Sequence, residues 1–268
     1  MSRCKLFLLW ISFALPFCLC PFVDFAAERP KKIVLVAGPI TGHPKEAHEY
    51  EKNVILLKHL LDTSPDLQSK VRVEAHFHGW PDDPSTLDDA DTIFLTSDGT
   101  DREEKNHPLY VGDHLQVIER QMKRGCGLVF FHWSTFSPMR VHDQITEWVG
   151  GHFDYETGNA QNHWYSAIQT WKAESKLAKP EHPILRGVKP FTTTGGLYKN
   201  PGLAKDVEVL LTATVNKHSE PVAWTRIHNG GRVFYTSLGT PEDFEDENFR
   251  RMLVNALFWT TKRDAPSK

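Results

Sequence analysis

Short unbroken apolar runs alternate along this chain with stretches in which apolar residues recur every three or four positions. The first pattern marks strands buried on both faces, and the second marks helices that bury one side. Lys31 to Gly38 opens the series with Ile33-Val34-Leu35-Val36-Ala37, and a Gly38-Pro39-Ile40-Thr41-Gly42-His43-Pro44 loop follows. Tyr50, Val54, Leu57 and Leu61 then share a helical face, with Pro65 at its end. Val71 to Phe77 alternates as an edge-like strand, and Thr92-Ile93-Phe94-Leu95-Thr96 is a third strand ending in Ser97-Asp98-Gly99. Leu115, Ile118 and Met122 define a second helix, stopped by Lys123, Arg124 and Gly125. The fourth strand, Gly127-Leu128-Val129-Phe130-Phe131, ends abruptly at His132, and Val141, Ile145, Trp148 and Val149 give one more helix.

After Gly150 the helices thin out. Trp164 to Trp171, Val207 to Leu211, Pro221 to Trp224 and Gly231 to Thr236 read as strands, and Phe249, Leu253, Ala256 and Leu257 mark a last helix. Thr240-Pro241-Glu242-Asp243 has the form of a helix start, with a capping threonine and a proline at the first helical position. The fold expected is an α/β, doubly wound, mostly parallel sheet with antiparallel additions in the C-terminal half. With no internal repeat and no low-complexity linker, residues 28–268 read as one domain.

The first residues are of another kind. Arg3 and Lys5 precede the apolar Leu6 to Leu15, the proportions of a secretory signal, so residues 1–27 are expected to be a cleaved leader and the mature protein periplasmic or secreted. The leader is the only expected membrane contact, since Pro16 breaks the apolar stretch too soon for a span. Its removal takes Cys4, Cys18 and Cys20 and leaves Cys126, read as a small core residue. A net charge of -3 lacks the basic footprint of a nucleic-acid binder.

No Gly-x-Ser-x-Gly elbow, Walker loop, His-Glu-x-x-His or paired Cys-x-x-Cys is present, so the chemistry falls to histidines. In open parallel sheets ligands bind beyond the carboxyl ends of the strands. His43, His107 and His132 follow strands one, three and four and would converge there, with Asp98 either beside them or serving as a turn residue. The plain alternative for His132 is a hydrogen bond to a neighbouring loop. Trp133, Phe136, Phe153, Tyr155, Trp164 and Tyr165 gather nearby; flat apolar faces with polar tips suit a sugar ring, although core packing uses such residues too.

Several stretches together point to one family. Gly127 to His132, Val149-Gly150-Gly151-His152-Phe153, His182-Pro183-Ile184 followed by Tyr198, Pro221 to Trp224, and Gly231 to Gly239 appear in an order that resembles the trehalose-utilisation, ThuA-like family. The resemblance spans about Lys32 to Arg263. It implies the flavodoxin-like fold of class I glutamine amidotransferases, with His132 where those enzymes carry a cysteine nucleophile, so glutamine hydrolysis is not expected. It also implies sugar catabolism, and together with the sheet-edge reading the expectation is a carbohydrate or keto-sugar substrate isomerised or cleaved by His132 as acid or base, with His43, Asp98, His107, Trp133 and Tyr198 around it. Some relatives bind metal, but Thr194-Gly195-Gly196-Leu197 stands where the family has acidic residues, and Thr240 where it has histidine. No metal and no other cofactor is therefore expected. The other reading is a sugar-binding protein with a degenerate site. Oligomeric state has no signature in the sequence.

Overall fold

The computed structural model describes residues 29–39, 41, 49–155, 167–169, 172–199 and 201–262. The leader and His43 lie outside them. Strands β1 (Lys31–Ala37), β2 (Val71–His76), β3 (Thr92–Thr96) and β4 (Gly127–Phe131) alternate with helices α1 (Tyr50–Thr63), α2 (His114–Lys123) and α3 (His142–Val149) as the apolar pattern predicts. The later elements are β5 (Ala167–Gln169), β6 (Ala173–Leu177), β7 (Thr192–Thr193), β8 (Leu197–Lys199), β9 (Glu208–Val215), β10 (His218–His228), β11 (Gly231–Thr236) and α4 (Glu247–Thr260).

Nine strands form one sheet in the order β2-β1-β3-β4-β11-β10-β9-β6-β7, and β5 pairs with β8 separately. The pairs from β2 through β11 are parallel, and those from β11 through β7 are antiparallel. The mostly parallel sheet with antiparallel additions is thus present, and β2 is an edge strand. Period-two alternation divides each central strand between two cores. Ile33, Leu35, Phe94, Val129 and Phe131 face the layer of α1 and α4, whereas Val34, Val36, Ile93, Leu95, Leu128 and Phe130 face the layer of α2 and α3. Both faces are apolar, so these strands read as continuous runs.

Three differences from the sequence reading have local causes. β6 and β8 lie between the expected strands: in Ala-Glu-Ser-Lys-Leu of β6 only Ala173 and Ser175 are buried, too weak an apolar signal to notice. β10 runs well beyond Pro221 to Trp224, taking Pro221 into the strand at a break in register with β9. Asn216-Lys217 and Asn229-Gly230, all at positive φ, make the two tight hairpin turns on either side of β10. The helix start at Thr240 is replaced by a 3-10 turn, Asp243–Glu245, and α4 begins only at Glu247, because Asp246 is extended and caps the helix by accepting the Asn248 N–H at 2.7 Å. The Thr240 and Asp243 pairing is still made, as the Asp243 carboxylate accepts the Thr240 N–H at 3.2 Å and the Thr240 hydroxyl accepts that of Asp243 at 3.4 Å. Cys126 is buried, and that burial pushes its thiol up to about 12.

Candidate active site

β4 delivers its last side chain to the carboxyl edge and then turns sharply. His132 sits at φ 55°, a left-handed conformation that costs an L-residue about 1–2 kcal/mol, and a 3-10 turn over His132–Thr135 follows at once. Such strain persists only where neighbours fix it, and here they do. The Tyr235 hydroxyl donates to the His132 carbonyl at 2.9 Å, and the Ser134 hydroxyl ties the turn to the end of β3 by donating to Leu95 O and accepting the Ser97 N–H, both at 3.2 Å.

The imidazole is buried and its tautomer is set. Nδ1 lies 2.5 Å from the Ser237 carbonyl, which only accepts, so Nδ1 carries the hydrogen and Nε2 is the basic nitrogen. Ser237 follows β11, the strand next to β4, so one sheet edge supplies both the ring and its orienter. Gly196, at φ 76°, makes the approach possible: a Cβ there would stand 2.2 Å from Ser237 O and 3.4 Å from His132 Cε1. The Tyr198 hydroxyl on β8 is 3.4 Å from the same Nδ1.

Around this pair the aromatic residues stack. The Trp133 ring lies on Phe136 with centroids 4.2 Å apart, and Phe136 lies on Phe153 at 4.0 Å. Tyr198 meets Phe136 edge-on. Trp133 and Tyr155 are half-buried, so the stack has an outer side.

The other sequence-predicted residues divide. Asp98 is buried at this edge and accepts from the Thr41 hydroxyl at 2.7 Å and from the Gly99 N–H at 2.9 Å, and the Tyr50 phenol beside it is held up in pKa by burial first and by that carboxylate second. Asp98 therefore serves the turn at this edge. His107 is close enough to feel Asp98 but is fully occupied by backbone. Its Nδ1 accepts the Leu109 N–H at 3.2 Å, so its Nε2 donates to Ser134 O at 2.9 Å, and burial lowers it to about 4. It is a neutral brace behind the His132 turn. Two contributors escaped the sequence reading, Ser237 and Tyr235: the first acts through a main-chain atom, and the second lies inside a strand that reads as core.

A doubly wound sheet with a histidine at the end of the fourth strand is the arrangement the sequence resemblance implies, and a family model described as ThuA, trehalose utilisation, matches residues 43–260. The chain belongs to the ThuA family. Similar solved structures include a ThuA-like protein from Bacteroides uniformis, 20% identical with 91% of this chain and 96% of that one covered at a TM-score of 0.62. A second, from Parabacteroides merdae, is 15% identical with 89% and 93% covered at 0.64. A cytoplasmic protein from Salmonella typhimurium is 14% identical with 86% and 98% covered at 0.56. At these identities the likeness is one of fold. No curated protein matches the chain.

In this ThuA chain the two departures from the family pattern meet in space. A Cβ on Gly195 would stand 2.8 Å from Thr240 Cγ2, and the Thr194 and Thr240 hydroxyls are 2.8 Å apart. The buried Asp243 carboxylate holds both segments, accepting the N–H groups of Gly239 at 2.8 Å, Thr240 at 3.2 Å and Thr194 at 3.4 Å. Burial raises its pKa, against the three amides, which lower it. Neutral hydroxyls and glycines are poor ligands for a divalent metal, and among the described residues no three His, Cys, Asp or Glu side chains converge as a metal set. Among the described residues the donors beside His132 do not fit a metal.

Proposed function

We propose that this ThuA-family protein is an enzyme acting on a carbohydrate or keto-sugar, with Nε2 of His132 as the general base. The observation that carries the reading is the hydrogen bond from Nδ1 to Ser237 O, which fixes the tautomer and leaves the basic nitrogen on the other side of the ring. The strained backbone at His132 supports it, because a purely structural hydrogen bond needs no left-handed residue. Trp133, half-buried on the outer side of the stack over Phe136 and Phe153, supports a sugar, whose apolar face suits an aromatic surface. The family description, trehalose utilisation, points the same way. Asp98, Trp133 and Tyr198 would lie around the substrate; His43 lies outside the described residues. We place the enzyme outside the cytoplasm, after removal of residues 1–27.

The test is turnover against native disaccharides and disaccharides oxidised to ketones, with the wild type and His132→Asn. Turnover of at least one sugar, lost in the variant, is the expected result. Binding without turnover of any of them would make the protein a sugar receptor, a reading that the hydroxyl pair of Thr194 and Thr240 in place of acid and imidazole favours.

A further inference from the structure

The nine-stranded sheet ends on one side at β7, two residues long, and on the other at β2, six residues in unbroken register with β1. The ladder fixes which groups of β2 point outward. The Lys31 N–H donates to Lys70 O at 2.8 Å, whereas the N–H and C=O of Lys32 both turn to Asp91 on the β3 side. Alternation along a parallel pair then directs the main-chain groups of Arg72 and Glu74 to β1 and those of Val71, Val73 and Ala75 to the open side. Among the described residues no strand receives them. The Lys58 ammonium stands 3.4 Å from Val73 O, a long contact, and lies nearer the Asp62 carboxylate at 2.5 Å. No proline and no break in register blunts the edge.

We propose that two copies of this chain join through β2, antiparallel, about a two-fold axis at Val73. That axis makes Val73 a hydrogen-bonded pair with the partner's Val73, and Val71 one with the partner's Ala75, each pair exchanging two N–H···O bonds. Arg72 then stands directly opposite the partner's Glu74, in the position without backbone bonds where Cα atoms are about 4.5 Å apart and side chains lie closest. The same operation sets Glu74 against the partner's Arg72, so one axis matches both charges of the strand. Axes at Arg72 or Glu74 would oppose like charges, and axes at Val71 or Ala75 would leave much of the strand unpaired. Arg72 is 59% exposed and touches Glu74 and Asp89 of its own chain only at 3.5 and 3.4 Å, so little holds it from the partner. Helix α1 flanks the same edge with Glu51, Ile55, Lys58 and Asp62 on one face. Glu51 pairs with His78 just past β2 at 2.8 Å, and Lys58 reaches Val73. Ile55 on that face is 55% exposed, and the partner's α1 would cover it. Lys58 yields Val73 O to the partner's amide and keeps Asp62.

The test is the mass in solution together with the register. Protein recovered from its producing cell should sediment at twice the chain mass at micromolar concentration. Val73→Pro removes an N–H that the ladder with β1 does not use, so it should melt near wild type and sediment as a single chain. Arg72→Glu, at an exposed position, sets two like-charge pairs across the axis and should weaken association by about tenfold. Hydrogen exchange reads the register: the amides of Val71, Val73 and Ala75 should be protected in the wild type, and those of Val71 and Ala75 should exchange fast in Val73→Pro. The amides of Arg72 and Glu74, bonded to β1, should stay slow in both. A monomeric wild type, a dimer that survives Val73→Pro, or fast exchange at Val73 in a dimer would each overturn the pairing through β2. Should Val73→Pro fail to fold, undiminished association of Arg72→Glu overturns it instead.

Discussion

Replacing His132 with asparagine separates what the ring does chemically from what it does for the fold. The asparagine amide can present its N–H₂ near the position of Nδ1 and keep the bond to Ser237 O, and asparagine tolerates the left-handed φ of 55° better than most residues. It has nothing in place of Nε2. Turnover should therefore fall by about 10²–10⁴-fold, equivalent to roughly 3–5 kcal/mol of transition-state stabilisation. Stability should stay within about 1 kcal/mol of wild type, because the amide retains the main bond and relieves backbone strain. Alanine makes the contrast: it keeps the strain and strands the Ser237 carbonyl, for a loss of about 1–3 kcal/mol. Urea denaturation and turnover on the same two variants provide both quantities. Wild-type turnover in His132→Asn would refute the basic role of Nε2, and equal stability of the two variants would show that the Ser237 carbonyl does not hold the ring.

Three further outcomes follow from the same geometry. Gly196→Ala forces a Cβ to 2.2 Å from Ser237 O at a φ of 76°, so it should melt lower and lose turnover by more than its stability loss explains, as a kcat assay on the folded fraction would read. Stability should fall on acidification: with His107 at about 4 when folded against 6.5 unfolded, the unfolded chain takes up a proton first, so the loss begins below pH 6.5, reaches about 3 kcal/mol near pH 4 and then levels. His152, lowered to about 3, adds to the decline, and a His107→Asn variant with an undiminished slope in urea titrations would show the brace to be unimportant. Protein recovered from its producing cell should begin after the leader, near residue 28, and mass spectrometry finding an intact N-terminus would end the case for export.

The sequence makes β1, β3, β4 and β11 legible because each is buried on both faces and shows as an unbroken apolar run. β6 to β8 do not show, since their lengths are two to five residues and only two positions of β6, one of β7 and two of β8 are buried. His132 is visible as the first polar residue after such a run, yet its orientation is not, because the atom that sets it is a main-chain oxygen more than a hundred residues away. Gly196 shows how a letter can mislead. In the sequence it reads as a missing carboxylate, whereas in the structure it is a position with no room for any side chain. His107 reads as a third imidazole at the edge, but the hydrogen bonds that consume both its nitrogens come from backbone that only the folded loop brings near.

The place of β11 has a consequence for when the surroundings of His132 are complete. The strand sits between β4 and β10, joining the parallel half of the sheet to the antiparallel half, and Ser237 at its end lies 105 residues from the histidine it orients. Until the last tenth or so of the chain has emerged, β4 has an open edge and His132 lacks both its Ser237 partner and the Tyr235 clamp. Contacts of such long sequence separation also form late, since closing the loop must precede its reward. A chain threaded unfolded through a membrane would thus lack this arrangement in transit and gain it only where it completes its fold.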